Sequence, residues 1–159
     1  MGWVDENVPK EVADYLFNIK LNLPERVGVF QRDVRKDLET DFDMLEEQLA
    51  ETPAMMNFYD QLVAEQKAVV ATLERKAEVM KGKIVERIVT DANDRGVKIR
   101  REDVKDIIES DDEYIMVKAK IILETLVEDK IRAVARNLGA KNDNLRSLAG
   151  FKREEKRQA

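Results

Sequence analysis

Neither cysteine nor histidine occurs anywhere in this 159-residue chain. Their absence removes thiol nucleophiles, disulfides, ordinary zinc sites and the commonest general base. Aromatic residues make up only 6%, and the last of three prolines is Pro53, so 106 residues follow without another. Long apolar runs are missing as well. A stretch such as Ile121-Ile122-Leu123 falls far short of the roughly 20 residues a spanning helix needs. No secretory signal is evident, and Met1-Gly2 is followed by Trp3-Val4-Asp5-Glu6, which lacks the Ser or Thr of a myristoylation signal. The expectation is a soluble, cytosolic protein without a metal or cofactor.

Charge is what the chain has in abundance. Asp, Glu, Lys and Arg make up 38% of it, with a net charge of −5. The charges are sorted into blocks. Residues 33–51 hold eight acids and two bases, a net of −6. Residues 75–101 hold nine bases and four acids, a net of +5, and residues 102–113 return to −6. The last 19 residues, 141–159, carry +3. Screening acts over about 8 Å at physiological salt, so a local +5 matters despite the negative total.

Glu, Lys, Arg, Ala and Leu lose little side-chain entropy in helices, so the proline-free stretch predicts long ones. A short helix opening at Pro9 would present Val12, Tyr15, Leu16 and Ile19. A second, over residues 24–51, would carry Phe30, Val34, Leu38, Phe42, Leu45 and Leu49 on one stripe. Thr52-Pro53 would end it. A long helix over residues 54–90 places Phe58, Leu62, Val69, Leu73, Met80 and Ile84 at near-heptad spacing, with Ala77 and Ile88 alongside and Gln66 interrupting. Residues 91–96 read as a turn and 101–109 as a short helix. Ser110 would cap the last long helix, which continues through Tyr114, Val117, Ile121, Leu123, Val127, Ile131, Val134 and Leu138. Gly139 would kink or stop it before a frayed basic tail. That helix also carries Ile115, Ala119, Ile122 and Leu126, an apolar surface wider than one seam. Either the N-terminal helices or other subunits would cover it, and homo-oligomerisation is the cheaper explanation.

Three constellations invite chemistry. Asp91, Asn93, Arg95, Gly96 and Glu102 fall on positions 1, 3, 5, 6 and 12 of an EF-hand loop, but Arg95 puts a cation where a donor belongs. Calcium is rejected. Acid pairs such as Asp41/Asp43 and Asp111/Asp112 lack a histidine or nucleophile, and they read as solvated helix charge rather than catalysis. An enzyme is not expected. The basic block is the functional candidate: Lys76, Lys83 and Arg87 share a helix face, Lys81 lies beside it, and Arg95, Lys98, Arg100 and Arg101 follow. Such a cluster at the end of a helical hairpin suits a phosphate backbone, whereas a solvated face is the plainer account. Tyr59 and Tyr114 are read as packed rather than base-stacking residues.

From Asp41 onward the chain resembles the recombination mediator proteins of T4-like phages, the UvsY family. The resemblance rests on Glu51-Thr-Pro53, then Met55-Met-Asn-Phe-Tyr59, Leu73-Glu74, Lys81-Gly-Lys83-Ile84, and Asn144-Leu-Arg-Ser-Leu148. It implies a small α-helical homo-oligomer that binds single-stranded DNA and helps load a recombinase onto DNA covered by single-strand-binding protein. It also implies DNA repair and recombination in the host cytoplasm, and it assigns DNA contact to Lys81 and Lys83. In this chain Lys replaces the Arg of the family's pair, keeping charge but losing bidentate geometry.

The resulting expectation is an all-α, coiled-coil-like antiparallel hairpin with additional N-terminal helices. Residues 1–52 would form an acidic helical segment, 53–150 the hairpin and 151–159 a basic tail. Its rival is a scaffolding protein of phage assembly without DNA binding.

Overall fold

A computed structural model describes residues 18–22 and 29–158, which are predominantly helical. The described elements are strands β1 (Asn18–Asn22) and β2 (Val29–Asp33), followed by helices α1 (Arg35–Leu38), α2 (Leu45–Arg95), α3 (Arg101–Glu109) and α4 (Asp112–Gln158). No helix among them is long and apolar enough to cross a membrane.

The two strands correct the expected N-terminal helices. They pair antiparallel from Asn18↔Asp33 to Asn22↔Val29. Val12, Tyr15 and Leu16 of the expected first helix lie outside the described residues, and Ile19 sits on β1. A lone two-stranded hairpin is marginal in water. Here Ile19 is buried among Val34, Tyr59, Leu62, Ile131, Val134 and Leu138, so long-range burial holds what five-residue strands alone would not. The expected stripe over residues 24–51 does not exist as one face: Val34 and Leu45 are buried, but Phe42 is 65% exposed.

Helix α2 begins at Leu45 and passes through Pro53, where a boundary was expected. Proline leaves the Leu49 carbonyl without its usual amide donor. The neighbouring Thr52 hydroxyl, itself buried, donates to the Gln48 carbonyl at 2.6 Å. Glu46, Glu47, Gln48, Leu49 and Ala50 are ordinary or strong helix formers, and buried Leu45 anchors the first turn. The far end also extends past the expected limit, since residues 91–95 are helical. Gly96, at φ 64, stops the helix. Its amide donates to the Asn93 carbonyl at 3.1 Å and the Val97 amide to the Ala92 carbonyl at 3.0 Å, the paired bonds of a Schellman cap.

Helix α3 occupies the expected residues. Ser110, expected to cap α4, closes α3 instead: its hydroxyl donates to the Ile107 carbonyl at 3.0 Å. The cap of α4 is Asp111, whose Oδ1 accepts the Tyr114 amide at 3.1 Å. Helix α4 continues through Gly139, and residues 151–158, expected as a frayed tail, are its last turns.

The chain divides into two compact units, Met1–Glu65 with Val127–Ala159 and, separately, Gln66–Leu126. In the first, α2 packs against α4 through Tyr59, Leu62, Ile131, Val134 and Leu138, with Val34 and Ile19 added from the N-terminal segment. Each fully buried large side chain there contributes about 1.5–3 kcal/mol. In the second, Val70 and Ala77 of α2 meet Val117 and Ile121 of α4. Ile84 and Ile88 meet Ile108 of α3, and Tyr114 packs on both groups. This is a helical hairpin with α3 folded onto its closed end.

The phase of the seam differs from expectation. Tyr59 and Val70 are buried where Phe58 and Val69 were expected, and Leu123 is 63% exposed. The layer at the limit of the second unit, where Gln66 begins it, is polar. Gln66, buried on α2, donates through Nε2 to the Glu124 carboxylate at 2.7 Å and the Glu124 carbonyl at 3.1 Å.

Candidate nucleic-acid interface

All eight expected contact residues fall in the unit Gln66–Leu126, and all eight are exposed. Lys76, Lys81, Lys83, Arg87 and Arg95 project from α2, Lys98 and Arg100 lie in the connection after Gly96, and Arg101 opens α3. Because α2 stays helical through Arg95, its cations obey helical spacing. Residues two apart on a helix lie about 200° apart, so Lys81 and Lys83 flank the buried Ala77–Ile84–Ile88 face on opposite sides. The two lysines do not act as one pair.

Lys83 and Arg87 do come together. They line an open groove of about 470 Å³ whose other residues are Met80, Ile84, Asp111, Asp112 and Glu113. The acids at the start of α4 thus face cations of α2. Arg87 Nη2 lies 3.4 Å from Asp111 Oδ2, a long and largely exposed contact. Exposed pairs of this kind are worth about 0–1 kcal/mol and yield readily to a competing anion. Arg100 pairs with Asp103 at 3.2 Å, and its guanidinium hydrogen bonds hold the Asp103 carboxyl below the ordinary value. Among the described residues, Lys76, Lys81, Lys83, Arg95, Lys98 and Arg101 make no ion pair.

Tyr59 and Tyr114 are packed, as expected: Tyr59 is buried and Tyr114 sits between two apolar groups. Neither offers a stacking platform. The acid pairs have local tasks. Asp41 Oδ1 accepts the Asp43 amide at 2.9 Å, and Asp111 caps α4. The EF-hand-like positions Asp91 and Asn93 lie on helix α2 rather than in a loop, and among the described residues no three acids converge on a cation-sized site.

Among the described residues, the most connected polar cluster lies in the other unit, and sequence reasoning missed it. Asp37, counted as one charge of an acidic block, is buried. Its carboxylate accepts from Arg32 Nε at 2.6 Å, from Arg32 Nη2 at 2.7 Å and from the Tyr59 hydroxyl at 2.7 Å. Lys141, also buried, donates to the carbonyls of Asp37 at 3.0 Å and Glu39 at 2.5 Å. Desolvation pushes the Lys141 ammonium below its ordinary pKa, against the attraction of Asp37, Glu39 and Glu51. With Arg32 and Tyr59 donating to the Asp37 carboxylate and Lys141 to the carbonyls of Asp37 and Glu39, this cluster fastens the segment around α1 to α2 and α4. No spacing rule links residues 37 and 141.

Comparison with protein-family models, curated proteins and solved structures gives no match.

Proposed function

We propose that this chain is a non-catalytic, recombination-mediator-like accessory protein that binds single-stranded DNA non-specifically as a homo-oligomer. The observation that carries this reading is the set of eight exposed cations within 26 residues of one unit, six of them without an ion pair among the described residues. Lys83 and Arg87 line one groove with Asp111, Asp112 and Glu113, so the charge open to a DNA backbone falls chiefly on Lys81, Arg95, Lys98 and Arg101, with Lys76 on the Lys83 side of α2. Each site is weak, and repetition across subunits supplies avidity. The resemblance to the UvsY family adds the partners, a recombinase and a single-strand-binding protein, and the host cytoplasm as the setting.

The test is a fluorescence-anisotropy titration of labelled single-stranded DNA at about 50 and about 200 mM salt, where phosphate contacts release counterions and affinity falls steeply. Lys81→Ala is expected to weaken binding more than Lys83→Ala, because Lys83 already faces acids. No binding at low salt by folded protein overturns the reading. It would favour a scaffolding protein, for which the exposed apolar stripe of α4 speaks: Ile122 and Leu123 are 60% and 63% exposed.

A further inference from the structure

Helix α4 buries Val117 and Ile121 within its own unit, yet its opposite face is apolar too. Ile115, Ala119, Ile122 and Leu126 are all exposed, as are Met116 and Leu123 at their side. The four central residues follow spacings of 4, 3 and 4. This is the d-a-d-a order of a coiled-coil seam, and it reads the same in both directions. A seam that reads identically from either end matches a second copy of itself turned end for end. That is the requirement of a two-fold, isologous contact.

We infer that the stripe Ile115–Ala119–Ile122–Leu126 of α4 is a self-docking surface that pairs antiparallel with the same stripe of a second copy. The two-fold axis passes between Lys120 and Ile121. Ile115 then faces Leu126 of the second copy, and Ala119 faces Ile122, so each small side chain meets a large one. A parallel pair would stack Ala119 on Ala119 and leave a gap. Along one edge Met116 lies beside Leu123 of the second copy, which extends the apolar contact. Along the other, Lys118 lies beside Thr125, so no like charges meet within the seam. Asp112 and Asp129 occupy the next seam positions at its two ends. They would meet as like charges, which limits the contact to these four layers and fixes its register. Four layers are fewer than a standard interface holds, so the pair is a weak one.

This inference rests on the reading of the chain as a homo-oligomer and names the surface responsible. The absence of cysteine makes its test clean. Sedimentation velocity of the full chain from about 1 to about 100 micromolar is expected to show association that Ile122→Lys abolishes. Unchanged circular dichroism and melting temperature would show the variant folded, since Ile122 is exposed. Orientation is read by oxidation of cysteine variants. The double variant Ile115→Cys/Leu126→Cys is expected to form inter-chain disulfides, while Ile115→Cys alone does not. In the antiparallel pair two copies of residue 115 stand about 16 Å apart along the axis, beyond disulfide reach. Cross-linking by Ile115→Cys alone overturns the antiparallel arrangement. An oligomer that neither Ile122→Lys nor the cysteine pair affects overturns the surface while leaving homo-oligomerisation intact. A monomer at every concentration overturns both.

Discussion

The Tyr59 hydroxyl donates a 2.7 Å hydrogen bond to the Asp37 carboxylate, which Arg32 grips with two further bonds. Burial, together with this bond, pushes the Tyr59 phenol above its ordinary pKa. Tyr59→Phe keeps the ring and deletes the bond. It is expected to cost about 1.5–3 kcal/mol, the usual range for a hydrogen bond to a charged group, in urea denaturation. A loss below about 0.5 kcal/mol would mean that Arg32 alone satisfies Asp37.

The same tyrosine sets an alkaline limit. In the folded state it keeps its proton where the unfolded chain would lose it, so stability falls as pH rises above about 10. Ultraviolet titration is expected to show Tyr59 ionising only as circular dichroism reports unfolding, a step that Tyr59→Phe removes. Ionisation of Tyr59 in folded protein would contradict its buried placement.

Lys141 has the opposite sign. Its folded pKa is lowered, so the unfolded chain holds more protons between that value and about 10.4, and stability rises with pH through this window. Lys141→Met removes the charge and both bonds to the carbonyls of Asp37 and Glu39. It is expected to flatten the rise and to lower stability at neutral pH by about 1–3 kcal/mol, because two acceptors lose their donor. Denaturation curves at pH 7 and 9 measure both effects; an unchanged slope would remove Lys141 as their cause.

Gln66 and Glu124 form the polar layer of the second unit's seam. Gln66→Leu is expected to leave stability unchanged or raise it by about 1 kcal/mol, since half-buried Glu124 can turn to water and an apolar residue fills the seam. Thermal denaturation decides. A loss above about 2 kcal/mol would show that the bond stabilises the hairpin rather than setting its register.

Asp111, not Ser110, caps α4. Asp111→Ala is expected to cost about 0.5–2 kcal/mol and Ser110→Ala no more than about 0.5. The reverse order in urea denaturation would restore Ser110 as the cap.

Local chemistry alone determined that two long helices form and where α3 lies. Helix propensity and apolar spacing act within a few residues, so the sequence displays them directly, whereas the ends of α2 and the cap of α4 fell outside the expected positions. Tertiary structure decided the rest. Strands β1 and β2 are too short to show a period and persist because Ile19 and Val34 are buried against α2 and α4. Helix α2 survives Pro53 through packing on both sides of it, at Leu45, Thr52 and Tyr59. The seam turns by one residue, from Phe58 to Tyr59 and from Val69 to Val70, and at Tyr59 the buried hydroxyl is satisfied by Asp37. Among the candidate contact residues, exposure follows from charge and was legible. That Lys83 and Arg87 face acids while Lys81 does not depends on where α3 returns the chain, which no local spacing encodes.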